Sequence, residues 1–498
     1  MPRISMMLFL IANLFAYSLM SNTSFEFRVI DEATKEPLAY ANVTVVGTGT
    51  GSVTNIEGVF MLDLNSIESD KIVAISYIGY QMRKVPVNEL KLLSEITMKQ
   101  SALKLSEVNV PTKQLTAKQI MAFTEKNFET NYPRFEGRQR IFFHHIERTP
   151  SPGADGVKVK RSNFPGLDKE VMKEIMALIP SEFIEYQDAI VDLYTDSENS
   201  KLIPIQAISL EEGSAYDLQK ELEIKLAKFM NDVDESKDNE DIYYKIKTGI
   251  LSQKININDE EESSETHEKQ VSDHVVSKTE WVKNDLKRLV NEYSNYESDV
   301  WEFITKRGRY NYSIEQVTMI DSLVVYEVKF SPQRKGLYEG SAFISTDDFA
   351  LVVADFKYAQ GKQDEKIQLL GIGHAMNFKG ARVMFEKIKE GYVLKYINAQ
   401  TQEYIGIDRT FSFIKKQRRF FIDKELAELK LDAELKIHTK KEVEILILDR
   451  QKSTNSEFEK IEEPEKMLYT KQLVYDPSMW NNQTTIAPTE GLKAFKRQ

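Results

Sequence analysis

Phe25-Glu26-Phe27-Arg28-Val29 opens the stretch of residues 25–99 that decides the fold, and Ser76-Tyr77-Ile78-Gly79-Tyr80 stands near its end. In the opening run, aromatic and aliphatic residues alternate with charged ones, which is typical of a strand with one buried face. Turn signals, such as Thr54-Asn55-Ile56-Glu57-Gly58, separate further apolar runs. The pattern predicts a small β-sandwich of seven-strand type.

This stretch resembles the carboxypeptidase-regulatory-like domain, a transthyretin-like β-sandwich that is common in envelope proteins of Bacteroidetes. The matching residues are Pro37-Leu38, Ala41-Asn42-Val43, Gly47-Thr48, Gly51, Thr54, Gly58-Val59-Phe60 and Tyr77-Ile78-Gly79-Tyr80. Two positions depart from the family pattern: the usual glycine of the first strand is missing, and Asn55 stands where the family often has aspartate. The resemblance concerns an accessory module and implies no catalytic residue.

The same module precedes the plug of many TonB-dependent receptors, and Leu105-Ser106-Glu107-Val108-Asn109-Val110 resembles the segment that leads into that plug. The chain does not continue in the receptor pattern, because residues 217–296 are polar and helical in character. The remainder resembles instead a group of uncharacterised envelope proteins that carry the same module. That resemblance rests on Asn131-Tyr132-Pro133, Tyr338-Glu339-Gly340, Asp348-Phe349-Ala350 and Tyr475-Asp476-Pro477-Ser478-Met479-Trp480.

Residues 1–20 have the pattern of a signal peptide. Arg3 is an early cation, and the apolar run at residues 6–19 is shorter than the roughly 20 residues that span a bilayer as a helix. We place cleavage after Ser18, and an uncleaved N-terminal anchor is the alternative. In either case we expect an exported protein of the periplasm or the periplasmic face of the outer membrane.

Composition excludes several classes of function. The chain has no cysteine, so disulfides, thiolate metal sites, a cysteine nucleophile and a lipidated cysteine are all excluded. The net charge of −11 speaks against a nucleic-acid partner, which would require a dominant basic surface. No second apolar run of spanning length follows the leader, so we expect a soluble protein or one with peripheral membrane contact.

The remaining chain divides by pattern into four segments. Residues 100–115 are expected to form a linker, and residues 116–300 a helix-rich segment with a strand at its start and with acidic loops. Alternating runs such as Leu429, Leu431 and Leu435 predict an antiparallel, curved β-sheet domain with packed helices at residues 301–480, before a tail at 481–498. The predicted fold class is therefore mostly β with a helical middle, or α+β.

Motifs for metal or acid–base chemistry are weak in this sequence. His144 and Glu147 have the spacing of a zinc-binding pair, but they lie in an expected strand, where residues three apart face opposite sides. The acidic run at residues 259–268 lacks the central glycine of a calcium loop. Asp347 and Asp348 fit a hairpin turn better than a catalytic carboxylate pair. We expect no cofactor, no metal and no catalytic residue.

Two features remain as a candidate functional surface. His374 lies in an apolar, glycine-bearing context, where a packed or turn histidine is the plainer interpretation. A basic cluster beside Phe420 and Phe421 could contact anionic lipid headgroups or lipopolysaccharide, with a solvated strand end as the alternative. The cluster consists of Lys415, Lys416, Arg418 and Arg419.

The sequence as a whole favours a non-catalytic binding or scaffolding protein of the cell envelope, with its N-terminal sandwich as a docking module. We expect a partner among envelope or outer-membrane proteins. One alternative is an envelope hydrolase acting on peptide or glycan, which predicts a concave pocket around His374 or a carboxylate pair. The other is a carrier of lipid or lipoprotein, which predicts a cavity inside the curved sheet.

Overall fold

The computed structural model of the chain describes residues 25–101, 115–151, 156–211, 241–248, 251–255, 275–278, 280–480 and 483–495, together with the helical residues 221–222, 224–229 and 231–233. The expected signal peptide, residues 105–110 and the acidic run at residues 259–268 lie outside the described residues. Within them, strands far outnumber helices, which confirms the prediction of a mostly β protein.

Seven strands and one short helix form the N-terminal module. They are β1 Phe25–Asp31, β2 Asn42–Val45, β3 Gly51–Val53, β4 Val59–Leu62, β5 Ile72–Ser76, β6 Arg83–Pro86, α1 Val87–Leu90 and β7 Glu95–Met98. One sheet has the order β4-β1-β7 and the other β3-β2-β5-β6. Phe27 and Phe60 from the first sheet and Val43 from the second share one core. Two facing sheets with a common core form the expected sandwich.

Gly58 illustrates how turn residues fix this module. Its φ angle of +74° lies in the left-handed region that favours glycine, and a Cβ atom there would lie 2.7 Å from the carbonyl oxygen of Val29. The side chain of Asn55 accepts hydrogen bonds from the backbone N–H groups of Glu57 and Val59, each at 2.9 Å. The turn therefore presents β4 to β1 in one register.

A third sheet, which is open and has sixteen strands among the described residues, forms most of the remaining protein. Its strands are β8 Gly137–Pro150, β9 Val157–Ser162, β10 Glu182–Thr195, β11 Ser200–Glu211, β12 Ile242–Thr248, β13 Leu251–Ile255, β14 Val275–Lys278, β15 Tyr310–Ile320, β16 Leu323–Pro332, β17 Tyr338–Ser345, β18 Leu351–Tyr358, β19 Asp364–Leu369, β20 Ile372–Ile388, β21 Gly391–Gln417, β22 Lys424–Lys452 and β23 Met467–Gln472. The main path runs β14-β23-β11-β10-β8-β22-β21-β20-β18-β17-β16-β15.

The strands of residues 301–480 pair antiparallel with one another, but the large sheet that they form with earlier strands also contains a parallel pair. Strands β11 and β23 pair in parallel, with Ile208 opposite Thr470 and Leu210 opposite Gln472. The two strands are far apart in the chain, so no hairpin forces them to run in opposite directions. The large sheet is therefore mixed.

The prediction of a helical middle also needs correction. Strands β8, β10 and β11 come from residues 116–300 and lie on the main path of the large sheet. Their central residues, such as Ile141, Phe142 and Ile190, are buried, and such a continuous apolar run in a central strand carries no clear period. Within the same range, Leu286, Leu289 and Tyr293 form an apolar stripe on a helix, with all three side chains buried.

The longer helices pack on one face of this sheet. The helices are α2 Ala117–Asn131, α3 Lys169–Leu178, α4 Glu280–Ser294, α5 Glu302–Thr305, α6 Asn455–Glu459 and α7 Glu490–Lys493, with 3-10 turns at Asp299–Trp301, Arg307–Arg309 and Pro477–Trp480. Thr116 caps α2 by accepting a hydrogen bond from the backbone N–H of Gln119 at 3.3 Å. Trp301 packs against Phe356 and Phe385 of the sheet, with ring centroids 6.0 and 6.1 Å away.

The N-terminal module covers the opposite face. Phe385 and Met384 are consecutive in β20 and so point to opposite sides, and Tyr396 lies directly across from Met384. The ring of Tyr396 contacts the ring of Tyr40 in the module, with centroids 6.2 Å apart. The sheet therefore lies between the helices and the module.

The hairpin of β21 and β22 extends beyond its neighbours. These strands contain 27 and 29 residues, and their distal halves pair with β12 and β9 rather than with β20 and β8. Around them, a separate hydrophobic core includes Phe164, Met172 and Tyr244. We call this part, consisting of β9, α3, β12, β13 and the distal hairpin, the distal lobe.

Candidate functional site

Residues 483–495, which were expected to be a tail, hold the N-terminal module in place. The hydroxyl of Ser52 donates to the carbonyl oxygen of Thr485 at 2.9 Å, and the side-chain amide of Asn55 donates to that of Ala487 at 3.0 Å. Phe60 forms an isolated β-bridge with Ile486. We call residues 483–495 the C-terminal clamp.

Asn55 explains one departure from the family pattern. Its side-chain oxygen accepts two hydrogen bonds within the module, as an aspartate oxygen also could. Its side-chain nitrogen, however, donates to Ala487 in the clamp, and an aspartate has no donor for that contact. Asparagine therefore serves the turn and the clamp together, because it carries both an acceptor and a donor.

A second set of contacts fixes the module to the sheet. The side-chain amide of Asn42 donates to Asp321 at 3.2 Å, and the hydroxyl of Ser76 also donates to Asp321. The guanidinium of Arg382 lies over the ring of Tyr40, 5.3 Å from its centroid. Three strands of the module therefore contact either the clamp or the large sheet. Through these contacts the module and the sheet form one body.

Lys395 is buried at this contact. It occupies a bulge in β21, and its Nζ atom has no hydrogen-bond partner in the part of the chain that the structure describes. Burial lowers the pKa of Lys395. A Cβ atom on Gly51 of the module would lie 3.2 Å from this Nζ and 2.5 Å from the carbonyl oxygen of Val43. Glycine at position 51 therefore permits the close approach of the two parts.

A row of polar residues crosses the large sheet on the same face. Each member is the direct cross-strand partner of the next, and the row runs Asp355, Arg382, Asn398, Glu444, His144 and Asp188. We call it the polar row. Arg382 is 3.3 Å from Asp355, and the amide of Asn398 donates to Glu444 at 3.4 Å. The ring of His144 is hydrogen-bonded to Asp188, and the hydroxyl of Tyr396 donates to Glu444.

Burial shifts the ionisation of this row. Burial of the His144 ring opposes its charged form, but the Asp188 carboxylate outweighs that effect and raises the pKa of His144 to about 9. Burial likewise raises the pKa of Glu444, against the opposing effect of His144. The side chains of His144, Asp188 and Glu444 are almost fully buried, so a substrate has no direct access to them. The row therefore fixes the register of the strands and stabilises the sheet, because shifting one strand by one residue would break its pairs.

Sequence reasoning missed this row, although a local signal exists. His144 follows Phe142 and Phe143, and Glu444 stands between Val443 and Ile445. A lone polar residue inside an apolar strand needs a buried partner. The pattern could have predicted buried polar side chains at these positions, but it could not have predicted which residues pair with each other.

An aromatic cleft lies between α4 and the helical face of the sheet. It has a volume of about 350 Å³, and we call it the aromatic cleft. Lys287, at its rim, donates to the carbonyl oxygen of Ser200 at 3.0 Å and forms an ion pair with Glu463. Asn291 adds a polar side chain to the wall. The aromatic lining consists of Tyr132, Phe135, Tyr296, Phe385 and Tyr392.

His374 lies in a different, polar groove. The groove has a volume of about 480 Å³ and also contains Tyr404 and His438. His374 is 35% exposed, and its Nε2 atom is 3.8 Å from a carboxylate oxygen of Glu403. The cross-strand partners of His374 are Ile367 and Ile405, whereas His438 lies across from Tyr404, so the two imidazoles point to opposite faces of the sheet.

The basic cluster is divided by the fold. Lys415 is buried, with its Nζ 2.7 Å from Asp232 and 6.0 Å from the ring centroid of Tyr244, so its assignment to a functional surface is wrong. Asp232 is 183 residues away from Lys415 in the chain, so local sequence patterns could not reveal this ion pair. Arg418 and Arg419 are exposed, and Lys416 is half-buried, next to the turn between β21 and β22.

The remaining motifs have structural partners. His144 and Glu147 lie on strand β8, as expected, and Glu147 is 3.6 Å from Lys441. Asp348 lies in the expected turn and binds Lys387 at 2.8 Å, and its carbonyl oxygen accepts from Asn131 of α2 at 3.0 Å. Among the described residues, no group of three or more His, Asp or Glu side chains is arranged to hold a metal ion.

None of the helices in the described residues combines the length and the apolar composition needed to cross a membrane.

Comparison with known proteins defines the class of the N-terminal module. Residues 28–110 match the CarboxypepD_reg-like domain family, so the module belongs to that family, as the sequence predicted. A segment of 59 residues is 41% identical to the TonB-dependent receptor SusC of Bacteroides thetaiotaomicron. This segment covers 12% of the chain and only 6% of the receptor.

A solved structure, a LolA superfamily protein from Nitrosomonas europaea, aligns with 69% of this chain and 98% of its own. The sequence identity is 11% and the TM-score is 0.18, so this alignment gives no evidence of a shared fold.

Proposed function

We propose that this chain is a non-catalytic binding or scaffolding protein of the cell envelope. The family of its N-terminal module and the similarity of one segment to a receptor from Bacteroides support the location. The leader-like pattern of residues 1–20 is consistent with export to the periplasm or to the periplasmic face of the outer membrane.

One observation carries the proposal of a scaffold: the module is built into the protein body. The clamp binds Ser52 and Asn55, while Asp321 of the sheet binds Asn42 and Ser76. A module fixed from two sides holds a bound partner at a constant position relative to the sheet. A flexible tether would not have this property.

The ionisable groups with raised pKa values favour this function over a hydrolase. His144 and Glu444 are buried and paired within the polar row, where they stabilise the sheet. The groove at His374 remains the best location for the rival activity, because it is concave and lined mostly by polar side chains. Hydrolysis of a peptide or glycan library that is lost in a His374→Ala variant would establish the rival.

The aromatic cleft supports a second candidate, the binding of a small amphipathic molecule. Its volume of about 350 Å³ lies at the lower end of the usual range for small-molecule sites. Aromatic walls with a polar rim suit a ligand with one apolar and one polar part. This candidate is a restricted form of the carrier hypothesis, since the space accepts a small ligand rather than a lipoprotein.

Substitution of Asn55 tests the scaffold. We expect the wild-type chain, crosslinked in the envelope, to recover one defined envelope protein. An Asn55→Asp variant removes the donor to the clamp and should recover at least fivefold less of that protein. Asn65→Asp, an exposed substitution in the same module, serves as the matched control and should recover as much as wild type. Equal recovery with all three chains would refute the scaffold role of the fixed module.

A further inference from the structure

Three large apolar side chains are exposed at the tip of the longest hairpin. Phe420, Phe421 and Ile422 are 94%, 90% and 83% exposed. The two phenylalanine rings pack edge to face, with centroids 4.8 Å apart. Adjacent exposed rings of this kind are typical of an interaction surface, since leaving them in water is unfavourable. We call residues 418–424 the hairpin tip.

Cations flank these side chains on both sides. Arg418 and Arg419 come directly before them and Lys424 follows, while the chain as a whole has a net charge of −11. Asp423 is the acid within the tip, and the hydroxyl of Tyr243 donates to it at 2.7 Å. The tip therefore has a positive charge on a negative molecule, with its apolar part in the middle.

The base of the tip is held in place. The backbone N–H of Arg418 donates to the carbonyl oxygen of Asp241 at 2.7 Å, and that of Arg419 donates to Asp423 at 3.2 Å. The guanidinium of Arg418 lies 5.9 Å from the ring centroid of Tyr243. A preformed tip loses little conformational entropy when it binds.

The tip is also far from the N-terminal module. Tyr396 contacts the module, and strand β21 continues from there to Gln417. At the usual rise of a strand, this separation is on the order of 70 Å along β21. Contact at the tip therefore leaves the module accessible.

We propose that the hairpin tip docks on the surface of an anionic lipid bilayer. Phe420, Phe421 and Ile422 enter the headgroup region, and Arg419 and Lys424 lie at the level of the lipid phosphates. Interfacial binding requires this combination of apolar insertion and positive charge. A stable protein interface uses about 20–30 residues on each side, far more than the tip offers, whereas a bilayer needs no matching groove. The inference goes beyond the proposed function and does not rest on it.

Vesicle flotation of the purified full chain tests this proposal. Vesicles of phosphatidylcholine with about one third phosphatidylglycerol should bind wild type, and vesicles of phosphatidylcholine alone should bind it at least tenfold more weakly. The triple variant Phe420→Ser, Phe421→Ser, Ile422→Ser should lose about 100-fold in affinity. An Arg419→Gln, Lys424→Gln variant should lose about twentyfold, and raised salt should weaken wild-type binding.

Two controls separate docking from damage to the fold. Ile56 is 57% exposed on the module between Asn55 and Glu57, so Ile56→Ser removes an exposed apolar side chain without flanking cations and should bind as wild type does. All variants should keep the wild-type melting temperature, because the changed side chains are exposed. A tryptophan introduced by Phe421→Trp should be quenched by brominated lipid in anionic vesicles.

Three results would overturn the proposal: no binding of wild type to anionic vesicles, equal binding of the triple variant, or absence of quenching at position 421. If a photocrosslinker at position 421 captured a protein rather than lipid in the envelope, a protein partner would replace the bilayer.

Discussion

His144 keeps its proton through the neutral range because the Asp188 carboxylate lies against its ring, inside a sheet where an unpaired charge would be costly. The pKa of His144 is raised from its ordinary value of 6.5 to about 9. A group whose pKa is higher in the folded state stabilises the fold fully below its unfolded pKa. That stabilisation is lost as the pH rises through the folded pKa.

We therefore expect the free energy of unfolding to fall by about 3 kcal/mol between pH 6.5 and pH 9. Urea unfolding at several pH values measures this change. In a His144→Gln variant the fall should be largely absent, at the cost of lower stability at pH 6.5. His374→Gln, at a half-exposed position outside the row, should keep the wild-type fall. An unchanged pH profile in His144→Gln would contradict the assignment.

At the scale of elements, the C-terminal clamp completes the module. Ile486, Ala487 and Leu492 belong to the same hydrophobic core as the large sheet, and so do Val53 and Met61 of the module. Removal of the clamp exposes this apolar surface and leaves the donors of Ser52 and Asn55 without acceptors.

A chain shortened after residue 482 should therefore show faster amide exchange in β3 and β4, by at least tenfold. Hydrogen exchange followed by mass spectrometry measures it. Strand β6 serves as the internal control, because it lies at the far edge of its sheet, away from the clamp. Uniform acceleration across the whole module would indicate general unfolding, and unchanged exchange in β3 and β4 would show that the clamp has no holding role.

At the scale of the whole molecule, the module and the large sheet share buried surface. The side chains of Val53, Val59 and Met61 pack in the core of the large sheet rather than in the module's own core. Parts that share a core tend to unfold together, whereas tethered domains unfold separately.

Calorimetry of the full chain should accordingly show the module and the sheet melting in one transition. Tyr40→Ala removes the ring that contacts Tyr396 and Arg382, and should lower the melting temperature of that transition by several degrees. Tyr77→Ala is the control, because Tyr77 packs in the module's own core rather than against the sheet. A separate module transition in wild type would contradict a single body.

Much of the module could be predicted from the sequence because its structure is encoded locally. The alternation in β1, the turn at Asn55 and the cap at Thr116 each depend on neighbours within a few residues. The basic residues and aromatic rings of the hairpin tip were also recognisable in the sequence, but the sequence did not determine whether they are exposed. Short-range periodicity and turn chemistry suffice for such features.

By itself, then, the sequence determined a mostly β chain with an N-terminal regulatory-like sandwich, since these follow from periods of two and from turns. The tertiary structure alone decided which strands are neighbours. It placed His144 beside Asp188 and Glu444, buried Lys415 against Asp232, and turned an expected tail into the clamp. These pairs are distant in the chain, and only the closing of long loops by apolar burial brings them together.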